Sequence, residues 1–294
     1  MNNQRLALPD DRQLGYAVEG AGTPILYFHG TASSRLEIAL LKQLAHDHTL
    51  CLISIDRPGY GLSTFKDRRR LSDFAPDVNA IANHLDTDTF TILSCSGGGP
   101  FALTYTALHP NRVTHAVVVG CPALPFDSAA AHNNKPLAKI GVKNSYLAKL
   151  ALQQFRKTVL NANRDIDCYL DSRSGKNMIR EWPEPDARFF QDPNWLKPMF
   201  VAIAKGFRQK GASFETVYQE HRLFMQAWNE PIAQIPEGKV TLWQGIHDKT
   251  CPPANGEKLA QIVRGARLET FLHEGHCVMY AKQEKLAARL LRKD

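Results

Sequence analysis

The 294-residue sequence predicts an α/β fold, in which a mostly parallel β-sheet is flanked by helices and interrupted by one helical insertion. Short continuous apolar runs, typical of strands buried on both faces, alternate with helical patterns of about ten to fifteen residues. This alternation stops after residue 124, where only helical runs follow, and it resumes near residue 236. The sequence therefore predicts a core formed by residues 1–124 and 236–294, with a helical cap at residues 125–235.

The predicted strands begin with a hairpin, because two short β-type segments flank the turn residues Pro9, Asp10 and Asp11. The apolar runs that follow are predicted as buried strands of one sheet. In chain order, the predicted strands are residues 5–8, 14–18, 25–28, 50–55, 90–93, 113–119, 240–244 and 268–272.

Apolar side chains at helical spacing predict helices between these strands. The predicted helices are residues 36–44, 78–85, 101–108, 147–159, 195–209, 214–228, 254–263 and 278–292. Ser72 or Asp73 is predicted to N-cap the second of them. Most aromatic side chains of the insertion are expected to pack in its own small core. They are Trp182, Phe189, Phe190, Trp195, Phe200, Phe207, Phe224 and Trp228.

The net charge is +7, from 36 basic and 29 acidic residues, and it raises the question of a nucleic-acid partner. The basic residues are spread along the chain except for Arg68, Arg69 and Arg70. Acidic residues flank that triplet, and no aromatic residues interleave with it as they do in single-strand binders. We interpret the triplet as a solvated surface and expect no nucleic-acid partner.

Mean hydropathy is −0.31, and no apolar run is long enough to span a bilayer. The N-terminus lacks the apolar stretch of a signal peptide, so we expect a cytoplasmic protein with no membrane partner. The six cysteines are widely scattered, without the spacing of zinc ligands, and are expected to be reduced and mostly buried. No metal or organic cofactor is predicted.

A sharp strand-to-helix turn is predicted at Ser96, between the apolar run at residues 90–93 and the helix at 101–108. Such a turn strains the backbone of its central residue and requires small residues two positions away on each side. Ser94 and Gly98 meet this requirement, so the pattern is G-x-S-x-G with serine in place of the first glycine. The turn would expose the Ser96 hydroxyl, which needs a base to become a nucleophile.

Two later loops supply the partners that a nucleophilic serine requires. Asp248 follows the predicted strand at 240–244, and His276, preceded by Gly275, follows the last strand. A histidine can take the serine proton and return it to a leaving group, and an aspartate can orient the imidazole. The chain order Ser, Asp, His is the one that this architecture demands.

Alternatives to these assignments remain open at the level of sequence. His273 and His29 compete with His276, although His29 is better suited to fixing its own loop by hydrogen bonding. Asp127, after the strand at 113–119, is an alternative to Asp248. The glycines after Ser96 could instead cradle a phosphate, but no lysine or acidic partner accompanies them.

Stabilisation of a developing oxyanion would come from two backbone N–H groups. One belongs to Gly97, the residue after the nucleophile, and the other to Thr31, after the His-Gly pair at 29–30. Asp56 and Arg57 are interpreted as a structural ion pair. The thiol of Cys95 is expected to point into the core, because successive strand residues face opposite sides.

These motifs together resemble the α/β-hydrolase fold superfamily, specifically its capped bacterial serine hydrolases. The motifs are His29-Gly30, the loop at 56–63, the Ser96 turn, Gly245 to Asp248 followed by Pro252, and Gly275-His276. The resemblance covers residues 13–122 and 239–291 and implies an eight-stranded, mostly parallel sheet with Ser96, Asp248 and His276 as the triad. Ser94 departs from the family pattern, where glycine is usual.

The sequence thus predicts a serine hydrolase that forms an acyl-enzyme with a small or medium, largely apolar carboxylic ester. Hydrolysis of a C–C bond, lactone or amide would use the same residues. A non-catalytic ligand-binding protein on the same fold is the alternative from another class, because fold does not fix function. The substrate-binding residues and the oligomeric state are not predicted.

Overall fold

A computed structural model of the protein describes residues 4–123, 145–207, 212–226 and 228–292. Its centre is one eight-stranded sheet. All neighbouring strands pair in parallel except at the edge that holds the first two strands of the chain, where the pairing is antiparallel. The predicted fold class is confirmed.

The strands lie close to their predicted positions. They are β1 (Gln4–Ala7), β2 (Gln13–Gly20), β3 (Thr23–Phe28), β4 (Leu50–Ile55), β5 (Phe90–Cys95), β6 (Val113–Val119), β7 (Val240–Gly245) and β8 (Arg267–Phe271). Their order across the sheet is β1-β2-β4-β3-β5-β6-β7-β8, and the antiparallel pairs are β1 with β2 and β2 with β4.

The α-helices of the described residues divide into those of the core and those that lie between β6 and β7. They are α1 (Lys42–Asp47), α2 (Ala75–His84), α3 (Gly99–Leu108), α4 (Ser145–Ala162), α5 (Ile166–Asp171), α6 (Arg173–Glu181), α7 (Glu184–Gln191), α8 (Pro193–Gly206), α9 (Ala212–Phe224), α10 (Asn229–Ile232), α11 (Pro253–Ile262), α12 (Val278–Ala281) and α13 (Gln283–Leu290). Within the same described residues, three 3₁₀ helices cover Arg35–Leu41, Leu71–Phe74 and Ser96–Gly98.

The sheet is buried on both faces, which explains its continuous apolar strands. Along β5, Ile92 belongs to one hydrophobic cluster and the next residue, Leu93, to the cluster on the opposite face. Along β6, Val118 faces the first cluster, while Val117 and Val119 face the second. The alternation follows from the two-residue period of a strand.

The helices between β6 and β7 pack onto the loops that follow β3 and β4. Ser34 donates a hydrogen bond to the Ala202 carbonyl of α8 at 2.7 Å. Gly206, the last residue of α8, lies so close to Ser33 that a side chain there would overlap the Ser33 carbonyl. The described part of this segment is helical, as expected, and the domain boundaries at 125 and 235 stay a prediction.

Three local predictions need correction. The helix after β3 starts as a 3₁₀ turn. A 3₁₀ helix also precedes α2, so neither Ser72 nor Asp73 caps α2. The Asp73 carboxylate instead accepts a hydrogen bond from the Arg70 N–H at 2.8 Å. The closing helix is broken at Lys282, whose ψ of 44° is not helical.

The insertion's aromatic residues divide between different cores. Phe189, Phe190 and Phe200 lie in a separate cluster that also includes Cys277, with Trp182 and Trp195 against it. By contrast, Phe224 and Trp228 belong to the main core beneath the sheet. The expectation of one separate cap core is therefore only partly correct, because the insertion shares apolar surface with the sheet domain.

Candidate active site

Ser96 lies at the junction between β5 and the helical segment that leads into α3, with a φ of 50°. This left-handed conformation is strained for a residue with a side chain, and such strain clusters at functional sites. A Cβ at position 98 would overlap the carbonyl oxygen of Phe28, so Gly98 is required for the strand and helix to approach. Ser94 is fully buried in β5, where its small side chain fits.

The Cys95 side chain belongs to a buried apolar cluster, as predicted. Ser96 is half-buried, so its side chain keeps contact with solvent. The turn thus separates a thiol directed into the core from a hydroxyl at the edge of the sheet.

Asp248 and His276 are brought together by the loops after β7 and β8. Nδ1 of His276 lies 2.7 Å from Oδ2 of Asp248. The other carboxylate oxygen accepts hydrogen bonds from the N–H groups of Thr250 and Cys251, both at 2.8 Å. The carboxylate is therefore fixed on both oxygens, and its orientation sets the plane of the imidazole.

The electrostatics of His276 favour a base that can hold a proton. Burial disfavours the charged imidazolium, but the carboxylates of Asp248 and Asp186 outweigh it and raise the pKa of His276 above its ordinary value of 6.5. Gly120, after β6, has a φ of +54°, and a Cβ there would lie 3.1 Å from Nδ1 of His276. A small residue at the end of β6 thus leaves room for the pair.

Ser96 and the Asp248–His276 pair lie at the same edge of the sheet, because parallel strands end together. Cys251, in the loop after β7, donates its N–H to Asp248. Burial raises the pKa of the Cys251 thiol well above its usual range, so the thiol is neutral.

The competing residues have other surroundings. His273 is exposed on the loop after β8. His29 is completely buried, and its Nδ1 lies 2.8 Å from the Gly30 carbonyl oxygen. Burial, reinforced by the Arg57 charge, lowers the pKa of His29 well below 6.5, so the ring is neutral. Asp127 lies outside the described residues.

Thr31 and Gly97 are direct neighbours at the ends of β3 and β5. A Cβ built on Gly97 would overlap the Thr31 side chain and lie 3.2 Å from the Thr31 nitrogen. Within the described residues, the Thr31 N–H donates no hydrogen bond. The strand after β3 lies on one side of the β3–β5 pair, and the strand after β5 lies on the other side. Both amides therefore lie at the topological switch point, where such sheets bind ligands. Their role as an oxyanion hole stays a prediction.

Sequence reasoning missed a buried carboxylate beneath this loop. Glu37 accepts hydrogen bonds from the Gly30 N–H at 3.1 Å, from the Tyr27 hydroxyl at 2.8 Å and from the Tyr280 hydroxyl at 3.1 Å. It therefore holds the loop that carries Thr31. A glutamate within an apolar 3₁₀ turn was the only available signal, since its partners lie far apart in sequence.

The predicted Asp56–Arg57 ion pair is wrong, since each residue has a different charged partner. Asp56 pairs with Arg35 at 2.8 Å. Arg57 pairs with Glu220 of α9, with its Nε 2.7 Å from Oε1. Consecutive residues in an extended segment point to opposite sides, so their side chains find separate partners.

Glu220 is completely buried, and its carboxylate accepts hydrogen bonds from several side chains. Arg69, Tyr60 and Thr31 donate to it at 2.8, 2.9 and 3.0 Å, in addition to Arg57. Burial alone would raise the pKa of Glu220, but the charge and hydrogen bonds of Arg57 and the charge of Arg69 together outweigh it and lower the pKa to about 2. Arg69 is only 3% exposed, so the interpretation of the arginine triplet as wholly solvated is wrong for this member.

Another carboxylate that sequence reasoning missed, Asp186 of α7, contacts the backbone of the His276 loop. Its two oxygens accept hydrogen bonds from the N–H groups of His276 and Cys277 at 2.9 and 2.8 Å.

Among the described residues, no cluster of three or more acidic, histidine or cysteine side chains could hold a metal ion. In that same part of the chain, no helix has the length and apolarity needed to cross a bilayer.

Known proteins resemble this chain in sequence and in fold. A family model described as the alpha/beta hydrolase fold matches residues 23–283. A curated relative, "Uncharacterized hydrolase YcgS" of Bacillus subtilis (strain 168), is 31% identical over 108 residues, covering 35% of this chain and 36% of that protein. The match thus spans about a third of that relative's length.

Solved structures match over almost the whole chain. An esterase from Exiguobacterium antarcticum superposes with a TM-score of 0.67 at 20% identity, covering 99% of this chain and 98% of that one. An enol-lactonase from Burkholderia xenovorans LB400 gives a TM-score of 0.66 at 13% identity, covering 98% of both chains. At these identities the likeness shows the fold alone.

Proposed function

The chain belongs to the alpha/beta hydrolase fold family, and from this premise we propose that it is a serine hydrolase acting through an acyl-enzyme. The observation that carries the proposal is the 2.7 Å contact between His276 and Asp248, at the sheet edge where Ser96 has a φ of 50°. A strained serine and an oriented imidazole at one edge of the sheet support activation of the hydroxyl for nucleophilic attack.

In the proposed reaction, Ser96 Oγ attacks the carbonyl carbon as Nε2 of His276 takes the hydroxyl proton. The carbonyl oxygen becomes an oxyanion that accepts hydrogen bonds from the N–H groups of Thr31 and Gly97. Collapse of this intermediate expels the alcohol, which receives the proton from His276. Water then attacks the acyl-enzyme with His276 again as base, releasing the carboxylic acid and restoring Ser96.

The proposed substrate is a small or medium, largely apolar carboxylic ester. The esterase among the structural neighbours supports this choice, and the enol-lactonase supports a cyclic ester as the second candidate. Both reactions attack an acyl carbon bonded to oxygen, so they use the same groups with the same roles. The proposed partner is a small molecule only.

Covalent labelling with a fluorophosphonate probe tests the proposal, together with turnover of p-nitrophenyl esters from acetate to decanoate and of a γ-lactone series. We expect labelling and ester turnover by the protein, and loss of both in Ser96→Ala. Turnover should fall by at least roughly 10³-fold. Ser94→Ala is the matched control, because the Ser94 hydroxyl is buried and has no hydrogen-bond partner in the described residues.

Two results would contradict the proposal. Absence of both labelling and turnover in the folded protein would favour a non-catalytic ligand-binding role. Labelling that persists in Ser96→Ala would place the nucleophile elsewhere. Turnover of the lactones alone would change the proposed substrate to a cyclic ester and would keep Ser96 as the proposed nucleophile.

A further inference from the structure

Asp186 links the helical insertion to the loop that carries the proposed catalytic base. It lies in the first turn of α7, and the loop follows β8, 90 residues further along the chain. Oδ2 accepts from the His276 N–H at 2.9 Å, and Oδ1 accepts from the Cys277 N–H at 2.8 Å. One carboxylate thus holds two consecutive amides just before α12 begins at residue 278.

The contact is built into the interior of the protein. Asp186 is only 1% exposed, so water does not compete for its oxygens. A charged carboxylate at such a position needs hydrogen-bond donors, and both of its oxygens have one. Truncation of its side chain would leave two amides of the His276 loop without these acceptors.

Gly275 provides the space for this carboxylate. A Cβ at position 275 would overlap both Oδ2 and Oδ1 of Asp186. The φ of Gly275 is not in the positive region, so backbone conformation does not require glycine there. The glycine before His276 is therefore explained by the close approach of a side chain from the insertion.

Helix α7 holds the loop at a second point. Arg188, one half-turn after Asp186, pairs with Glu274, whose side chain is 4% exposed and also contacts Lys282 at 3.0 Å. The two contacts lie on either side of Gly275. The backbone around His276 is consequently fixed by α7, whereas its imidazole is fixed by Asp248.

We propose that Asp186 is a positioning residue, which aligns His276 for proton transfer with Ser96 and makes catalysis depend on docking of helix α7. This inference rests on the proposed function. It assigns to the insertion a part in the chemistry itself, in addition to any role in covering the substrate. A displacement of about 1 Å in a catalytic group can cost on the order of 10²-fold in rate.

The charge of Asp186 gives the role a distinctive readout. The acidic groups that act on His276 are Asp248 on the β7 loop, Asp186 on α7 and Glu37 on the 3₁₀ turn after β3. All three favour the imidazolium against burial, so removing one carboxylate lowers the pKa of His276. A purely structural contact would change stability without this shift.

The test compares Asp186→Asn with Glu184→Gln, which removes an exposed carboxylate from the same helical turn. We expect Asp186→Asn to lower kcat and the rate of fluorophosphonate labelling by about tenfold, with KM changed by less than about twofold. The acidic limb of the kcat/KM profile should move to lower pH. Glu184→Gln should match the parent protein in every measurement, and thermal unfolding should show that both variants are folded.

Gly275→Ala approaches the same contact from the other side and serves where Asp186→Asn does not fold. Its methyl group should displace the carboxylate and lower the labelling rate as well. An unchanged labelling rate and acidic limb in folded Asp186→Asn would overturn the proposal. So would a loss of rate in Asp186→Asn that matches the loss in Glu184→Gln.

Histidine NMR separates this proposal from the proposed function. In the Ser96→Ala background, the Cε1–H resonance of His276, assigned with His276→Gln, should titrate at lower pH when Asp186→Asn is added. If the parent protein is never labelled, the proposed function fails, and the positioning role fails with it. A labelled parent protein with no change in the His276 titration would overturn the positioning role alone.

Discussion

Nδ1 of His276 lies 2.7 Å from Oδ2 of Asp248, whose other oxygen accepts two backbone N–H groups. This arrangement places the imidazole proton on Nδ1 and leaves the lone pair of Nε2 as the basic site. Because the two backbone N–H groups fix the carboxylate, the hydrogen bond to Oδ2 holds the ring in one orientation.

Asp248→Asn should leave the fold intact and lower kcat by roughly 10³- to 10⁴-fold, because an amide nitrogen facing Nδ1 favours the wrong tautomer. Steady-state turnover of a p-nitrophenyl ester gives the measurement. Asp127→Asn is the matched comparison, since Asp127 is the alternative acid. A large loss in Asp127→Asn combined with parental activity in Asp248→Asn would show that the acid has been assigned to the wrong strand.

Activity should rise with pH through the pKa of His276, because only the neutral imidazole accepts the Ser96 proton. The carboxylates outweigh burial and raise this pKa, so the acidic limb of kcat/KM should lie above pH 6.5. Ester hydrolysis read at the isosbestic wavelength of p-nitrophenol avoids the ionisation of the product. A limb at or below pH 6.5 would contradict the electrostatic description of the site.

Gly97→Ala should lower kcat by about 10²-fold, because its methyl group would push Thr31 away from the oxyanion position. Adding Thr31→Gly removes the overlapping side chain and keeps the backbone N–H of residue 31. The double variant should therefore be more active than Gly97→Ala alone. If the loss of kcat in the double variant equals the product of the losses in Gly97→Ala and Thr31→Gly, the direct contact between the two residues is contradicted.

Glu220→Gln should destabilise the protein by roughly 3–5 kcal/mol at neutral pH, because Arg57 and Arg69 would be left buried without a counter-charge. Urea unfolding measures this loss, and Glu257→Gln, at an exposed position on α11, should be within about 0.5 kcal/mol of the parent. Equal stabilities of Glu220→Gln and Glu257→Gln would show that the buried pair contributes nothing to folding.

The same carboxylate predicts a pH dependence of stability. Its pKa is about 2 in the folded protein, below the ordinary 4.5, so the ionised form stabilises the fold above 4.5. This stabilisation should disappear as the pH falls from 4.5 towards 2. Glu220→Gln should lack that part of the decrease. A parallel decrease in both proteins would assign acid sensitivity to other groups.

The sheet could be predicted from sequence because local signals determine it. The strands Leu50–Ile55 and Val113–Val119 agree with prediction residue for residue, since their apolar runs are bounded by polar or turn residues. The closing helix could not be predicted in full, because nothing in its sequence marks the break at Lys282. Tyr280, just before the break, donates to Glu37 from 243 positions away.

The candidate site shows the same division between local and long-range information. The prediction of Ser96, Asp248 and His276 as site residues rests on turns that follow strands, which are local patterns. Asp186 and Glu220 were missed, because a carboxylate on a helix usually faces solvent and only the packed insertion buries these two. Their partners belong to distant loops, so no spacing along the chain connects them.

The most direct test of the central claim is mass spectrometry of the protein after reaction with a fluorophosphonate, followed by fragmentation of the modified peptide. We expect one adduct per chain, located on Ser96, with no adduct in Ser96→Ala and slow formation in His276→Ala. An adduct on any other residue, or an unmodified protein after prolonged reaction, would contradict the claim that Ser96 is an activated nucleophile.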